Sequence, residues 1–99
     1  MRSFHDPDRV DVSGGEAFVI VLEANPSTGY RWEVAPHPEA LELTDERIRP
    51  GSAAPGAAGE QHFVFSASAG GRFTLSFAYR RPWEDKDLAT KTVVVDVSA

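Results

Sequence analysis

The chain has 99 residues, 41% of them hydrophobic, and 15 acidic against 10 basic side chains give a formal net charge of -5. A chain this short has apolar material for one core rather than two, so a single domain over residues 1–99 is expected. The absence of cysteine excludes disulfide staples, thiolate zinc sites and thiol nucleophiles. No Lys/Arg cluster offers a phosphate-tracking surface, which argues against nucleic acid as a partner. No apolar run reaches the roughly 18 residues of a membrane span, so no membrane partner is expected either.

The opening stretch MRSFHDPDRV lacks the apolar h-region of a secretory signal. The protein is therefore expected in the cytoplasm if this is the native full length, and in the periplasm or outside the cell if a signal has been removed. After it, period-two alternation dominates. Short candidate strands lie near 9–12 and 41–44. The run AFVIVL, within a strand near 16–23, is apolar on both faces and reads as a central strand covered on two sides. YRWEV, near 30–34, places Tyr30, Trp32 and Val34 inward, and HFVFSA, within 60–67, does so with Phe63, Phe65 and Ala67. RFTLSFAY, within 71–80, puts Phe73, Leu75, Phe77 and Tyr79 on one face, and TVVVDV, within 90–97, turns Val93, Val95 and Val97 inward. Turn residues separate these runs, with SGG at 13–15, PHP at 36–38 and AGG at 69–71, and Arg49–Gly59 forms a long Pro/Gly/Ala connection. Helix signals are nearly absent. The pattern predicts an all-β, immunoglobulin-like antiparallel β-sandwich of about seven strands.

If successive strands alternate in direction, every second connection emerges at the same end. That rule gathers NPSTGY, PGAAGE and YRRPWEDKDLA at one pole and leaves SGG, PHPEA and ASAGG at the other. Rigid strands presenting unusual loops at one end are the plan of a binding module.

Asn25-Pro26-Ser27-Thr28-Gly29-Tyr30, then Gly56-Ala57-Ala58-Gly59 before a strand, then Arg81-Pro82-Trp83 after the strand FTLSFAY resemble three loop motifs of the chagasin family of cysteine peptidase inhibitors. Those motifs run in the same order, roughly NPTTGY/F, GxGG and RPW, and the resemblance spans nearly the whole chain. Ser27 stands where the family often has Thr, keeping the hydroxyl and losing a methyl. Ala58 stands where the family has Gly, so the loss of a backbone angle or a close approach open only to glycine is expected there. The resemblance implies a tight, reversible inhibitor of papain-like cysteine peptidases, a monomer when free, with no catalytic residues, metal or cofactor. It also implies that the first loop enters the cleft at the catalytic Cys and that the other two grip the enzyme on either side.

The residue types suit that task. A papain-like cleft binds extended peptides beside a thiolate and imidazolium, so an inhibitor must fill it without aligning a scissile carbonyl. Pro26 fixes its own φ and pushes Asn25 toward extended angles, while Gly29 permits a turn that strains other residues. A loop so constrained loses little entropy on binding. Asn25, Ser27 and Thr28 either brace the loop through its own backbone or bond the enzyme. Trp83, followed by the hydrophilic run EDKD, is expected near the loop surface as an anchor, whereas Trp32 is expected in the core. Arg81 is either a contact or a solvated charge. The small side chains of Gly56–Gly59 either give simple flexibility or admit an extended segment of the enzyme edge-on.

No enzymatic constellation assembles. His5, His37 and His62 lie in different segments without ligand spacing, and each reads as a surface or strand-end residue. Ser27 is not in a GxSxG elbow. Glu84, Asp85 and Asp87, interrupted by Lys86, read as a solvated loop. A second reading of the same sandwich is an immunoglobulin-like adhesion or glycan-binding module with Tyr30 and Trp83 as stacking platforms.

Overall fold

The computed structural model describes residues 1–25, 28–49 and 59–99. Its strands are β1 (Arg2–His5), β2 (Arg9–Ser13), β3 (Ala17–Ala24), β4 (Arg31–Val34), β5 (Leu41–Arg49), β6 (Gly59–Ala67), β7 (Gly71–Arg80) and β8 (Ala89–Ser98). They form two four-stranded sheets, ordered β1-β3-β6-β5 and β2-β8-β7-β4. The alternation of apolar residues explains the sandwich: each sheet turns one face inward, and Phe18, Ile20, Leu22, Phe63 and Phe65 of one meet Val10, Leu75, Phe77, Val93 and Val95 of the other. Phe63 and Phe77 close the gap between sheets with ring centroids 5.0 Å apart.

The expectation of seven antiparallel strands is corrected in two respects. An eighth strand, β1, pairs parallel with β3, and β2 pairs parallel with β8, so both sheets are mixed. The chain begins on the edge of one sheet, turns at Asp6, whose φ is 46°, and continues on the edge of the other. Strand direction still alternates along the chain because that turn exchanges sheet and direction together.

Two further readings change. β5 runs on to Arg49 instead of ending near 44, because a bulge between Leu43 and Asp45 shifts the alternation by one residue. Beyond the bulge Glu46 and Ile48, opposite Phe63 and Gln61, take over the inward positions. β3 is central, as expected, but among the described residues no further layer covers its outer face. Val19 and Val21 are buried there, with Ser3 and His5 of β1 on one side and Val64 and His62 of β6 on the other.

The connections sort by pole as strand parity requires. At one pole the turns are tied together: the Gly15 N–H donates to the Ala67 carbonyl at 2.7 Å, and the Ser68 N–H to that of Ala40 at 2.8 Å. At the opposite pole the chain passes from β3 to β4, from β5 to β6 and from β7 to β8.

Candidate functional site

The first loop is built around Tyr79, near the end of β7. Its hydroxyl accepts the Asn25 N–H at 3.0 Å. Its ring is flanked by Tyr30, stacked at 5.4 Å, and by Trp32 at 4.9 Å. The Asn25 carbonyl accepts both the backbone N–H of Thr28, at 3.2 Å, and its hydroxyl, at 2.7 Å. The Thr28 hydroxyl therefore braces the loop from within. Gly29 follows at φ 83°, a left-handed conformation that a side chain resists. Trp32 is half-buried against the core, and its indole N–H donates to the Glu23 carbonyl at 2.9 Å, pinning the start of β4 to the end of β3.

The third loop locks onto the first. Arg81 donates from Nε to the Thr28 carbonyl at 3.0 Å, lays its guanidinium 4.4 Å from the Tyr30 ring centre and meets Glu84 at 3.2 Å. Arg81 is therefore not simply a solvated charge: it clasps two loops, with its side chain still 36% exposed. A tight turn returns the Glu84 N–H to the Arg81 carbonyl at 3.0 Å. Arg80 bonds the Glu84 carbonyl and lies 4.0 Å from Asp87. At the turn's tip Trp83 is 73% exposed, the most exposed aromatic described. Its six-membered ring lies on Gly29 so closely that a Cβ built there would stand 2.7 Å from it. Glycine is thus favoured twice, by its backbone angle and by the indole, which would have to shift to admit a side chain.

Pro26, Ser27, Gly56, Ala57 and Ala58 lie outside the described residues. Gly59 is the first residue of β6, buried opposite Ala24, and Arg49, the last of β5, pairs with Glu60. Both residues that flank the second connection therefore stand at the pole where Asn25 leaves β3.

A model of the chagasin family peptidase inhibitors, I42, matches residues 11–97. The chain belongs to the chagasin family. Chagasin of Trypanosoma cruzi is 29% identical over 85 residues, covering 80% of this chain and 77% of that protein. The cysteine protease inhibitor EhICP2 from Entamoeba histolytica superposes with a TM-score of 0.79 at 24% identity, covering 97% of this chain and 96% of that one. PbICP-C, in a structure of its complex with falcipain-2, superposes with a TM-score of 0.72 at 20% identity, covering 98% and 92%. The family is one of peptidase inhibitors, not of enzymes.

On this chagasin-family scaffold the structure unites the first and third sequence motifs through Arg81, Tyr30, Gly29 and Trp83. The Tyr30 ring, engaged by Tyr79 and Arg81, is not an open stacking platform of the kind a glycan module needs. Among the described residues no group of His, Cys, Asp or Glu side chains could hold a metal ion. His5 and His62 do not stand apart as their sequence separation suggested: both face Glu60, at 3.8 and 3.2 Å, on the outer face of their sheet. Sequence reading passed over Tyr79 as a loop anchor and passed over Gln61 altogether. Gln61 is fully buried, and it bonds the Trp32 main chain and Glu46. Its position two residues before Phe63, on the inward face, was the available signal.

Proposed function

We propose that this chain is a tight-binding, reversible inhibitor of papain-like cysteine peptidases, with three loops at one pole occluding the active-site cleft. The observation that carries this reading is the Gly29–Trp83 contact with the Arg81 clasp beside it, which makes one continuous edge of two loops distant in sequence. The residues assigned to that edge and its continuation are Asn25, Pro26, Ser27, Thr28, Gly29, Tyr30, Gly56, Ala57, Ala58, Gly59, Arg81, Pro82 and Trp83. Membership of a peptidase-inhibitor family and the fold shared with PbICP-C, which forms a complex with falcipain-2, support it.

The roles divide by geometry. Thr28, Arg81 and Tyr30 spend their polar and aromatic groups inside the protein and hold the edge in shape. Trp83 and Pro82, exposed at the tip, supply apolar area for the wall of the cleft. A pre-formed edge avoids most of the ordering entropy that a flexible peptide loses on binding. Its backbone is held by Tyr79 and Arg81 rather than by the enzyme, so no carbonyl need settle into the attack geometry that a thiolate requires.

Titrating active-site-quantified papain with the folded chain tests the reading. Stoichiometric loss of activity with the chain left uncut is expected; full activity at micromolar excess of folded chain refutes it.

A further inference from the structure

We propose that Gln61 is a positioning residue, fixing the spacing between the first loop and the second connection. The inference rests on the inhibitory reading of that pole. β3 and β6 are neighbours in one ladder, so the chain entering the first loop and the chain leaving the second connection are already tied. The chain leaving the first loop is tied to that ladder by a side chain instead, the Trp32 indole N–H donating to the Glu23 carbonyl. It enters β4, at the edge of the opposite sheet, where Trp32 pairs with Tyr79 on one side only.

Gln61 reaches across the sandwich to the unpaired side of Trp32. Its Oε1 accepts the Trp32 N–H at 2.8 Å, its Nε2 donates to the Trp32 carbonyl at 2.7 Å, and the second Nε2 hydrogen goes to Glu46 Oε1 at 2.8 Å. One carboxamide thereby imitates a peptide group of a missing strand and joins β6, β4 and β5. Trp32 stands two residues beyond Tyr30, Gln61 two residues beyond Gly59, and Glu46 three before Arg49, so this joint lies directly beneath Tyr30 and the strand ends Arg49 and Gly59.

The chemistry admits few substitutes. The site needs one acceptor and two donors in a plane. Glutamate lacks the donors, leucine and methionine lack both, and asparagine is shorter by one carbon–carbon bond of about 1.5 Å. The β5 bulge belongs to the same device, since it brings Glu46 into phase with the inward face.

The test compares the parent chain with Gln61→Leu and Glu46→Leu by three measurements: the inhibition constant for papain on the titrated active fraction, the thermal midpoint, and 1H–15N spectra of the free chain. Gln61→Leu is expected to raise the inhibition constant at least tenfold with one-to-one stoichiometry retained. It should also shift the amide resonances of Thr28, Gly29 and Tyr30 while leaving those of Gly14 and Gly15, at the far pole, in place. Glu46→Leu, at an exposed residue, should shift the same loop resonances and raise the constant about threefold. A lower midpoint with an unchanged inhibition constant and unmoved loop resonances would show that Gln61 only stabilises, and overturns the proposal. If Gln61→Leu does not fold, Glu46→Leu decides by the same criteria. If the parent itself does not inhibit papain, the functional reading fails, and the resonance shifts of the free chain still decide whether Gln61 positions the loops.

Discussion

Gly29 offers a test in which strain and contact separate cleanly, because Gly15 has the same φ of 83° and no atom within 4 Å of the place where a Cβ would go. Alanine at either position must adopt a left-handed backbone conformation, at a cost of about 1–2 kcal/mol. That term should appear equally in the stability of both variants. Only at Gly29 does the new methyl meet a neighbour, 2.7 Å from the Trp83 ring, whereas carbon atoms rest about 3.5–4.0 Å apart. Trp83 sits exposed on a turn and can withdraw by roughly 1 Å, so little further stability is lost. What is lost is its place on the edge. If that place is a binding hot spot, Gly29→Ala should weaken inhibition of papain by at least about tenfold, or about 1.4 kcal/mol. Gly15→Ala, at the opposite pole, should leave inhibition unchanged. Urea denaturation and steady-state inhibition assays on both variants provide the comparison. Equal inhibition constants for the two, with equal losses of stability, would refute the assignment of the Gly29–Trp83 edge to the interface.

Trp83→Ala should weaken inhibition more than about tenfold while stability stays within about 0.5 kcal/mol, since the side chain is largely exposed; a large drop in midpoint would instead place the indole in the fold. Arg81→Lys should weaken inhibition about fivefold or more despite keeping the charge, because an ammonium cannot both bond the Thr28 carbonyl and stack on Tyr30. Full activity in that variant would show that charge alone matters. Acid should loosen the N-terminal strand. The Arg2 guanidinium, with help from the Ser13 N–H, holds Glu16 at about 2 against an ordinary 4.5. Asp96, beside Arg72, and Asp8, beside Lys91, are lowered as well. Carboxylates depressed in the folded state stabilise it above their unfolded pKa and lose that contribution as pH falls through the folded value. The thermal midpoint should therefore be level near neutrality and fall between about pH 4.5 and 2, and Glu16→Gln should flatten part of that fall. A parent midpoint unchanged down to pH 2 contradicts the assignment.

Where local alternation carried the structure, the sequence was a good guide. Phe63 and Phe65, Leu75 and Phe77, and Val93, Val95 and Val97 all face the core as their period-two spacing requires. The poles of the connections follow from direction reversal alone, which is why the described parts of the first and third motifs, and the strand ends flanking the second, stand at the pole assigned to them. β1 was missed because RSFH offers a single inward apolar residue, Phe4, and owes its place to distant partners: the β3 ladder and the Arg2–Glu16 pair at 2.8 Å. The parallel pairing of β2 with β8 leaves no trace in the local pattern. The end of β5 was lost at the bulge, where one extra residue reverses the phase that periodicity reads. Thr28 and Arg81 could be recognised as belonging to loops, but not as braces, because a bond such as Arg81 to the Thr28 carbonyl spans 53 positions. Gln61 escaped for the opposite reason: its alternation with Phe63 was plain, but a polar residue on an inward face announces a partner without naming it.

Amide hydrogen exchange of the chain, free and saturated with papain, tests most directly whether one pole of this sandwich meets the enzyme. The account predicts slowed exchange at residues 25–30, 50–60 and 81–84, with rates unchanged at 13–16, 35–40 and 68–71. Protection at the turns of the far pole or along a sheet face, with Thr28–Tyr30 and Arg81–Glu84 unaffected, would contradict it.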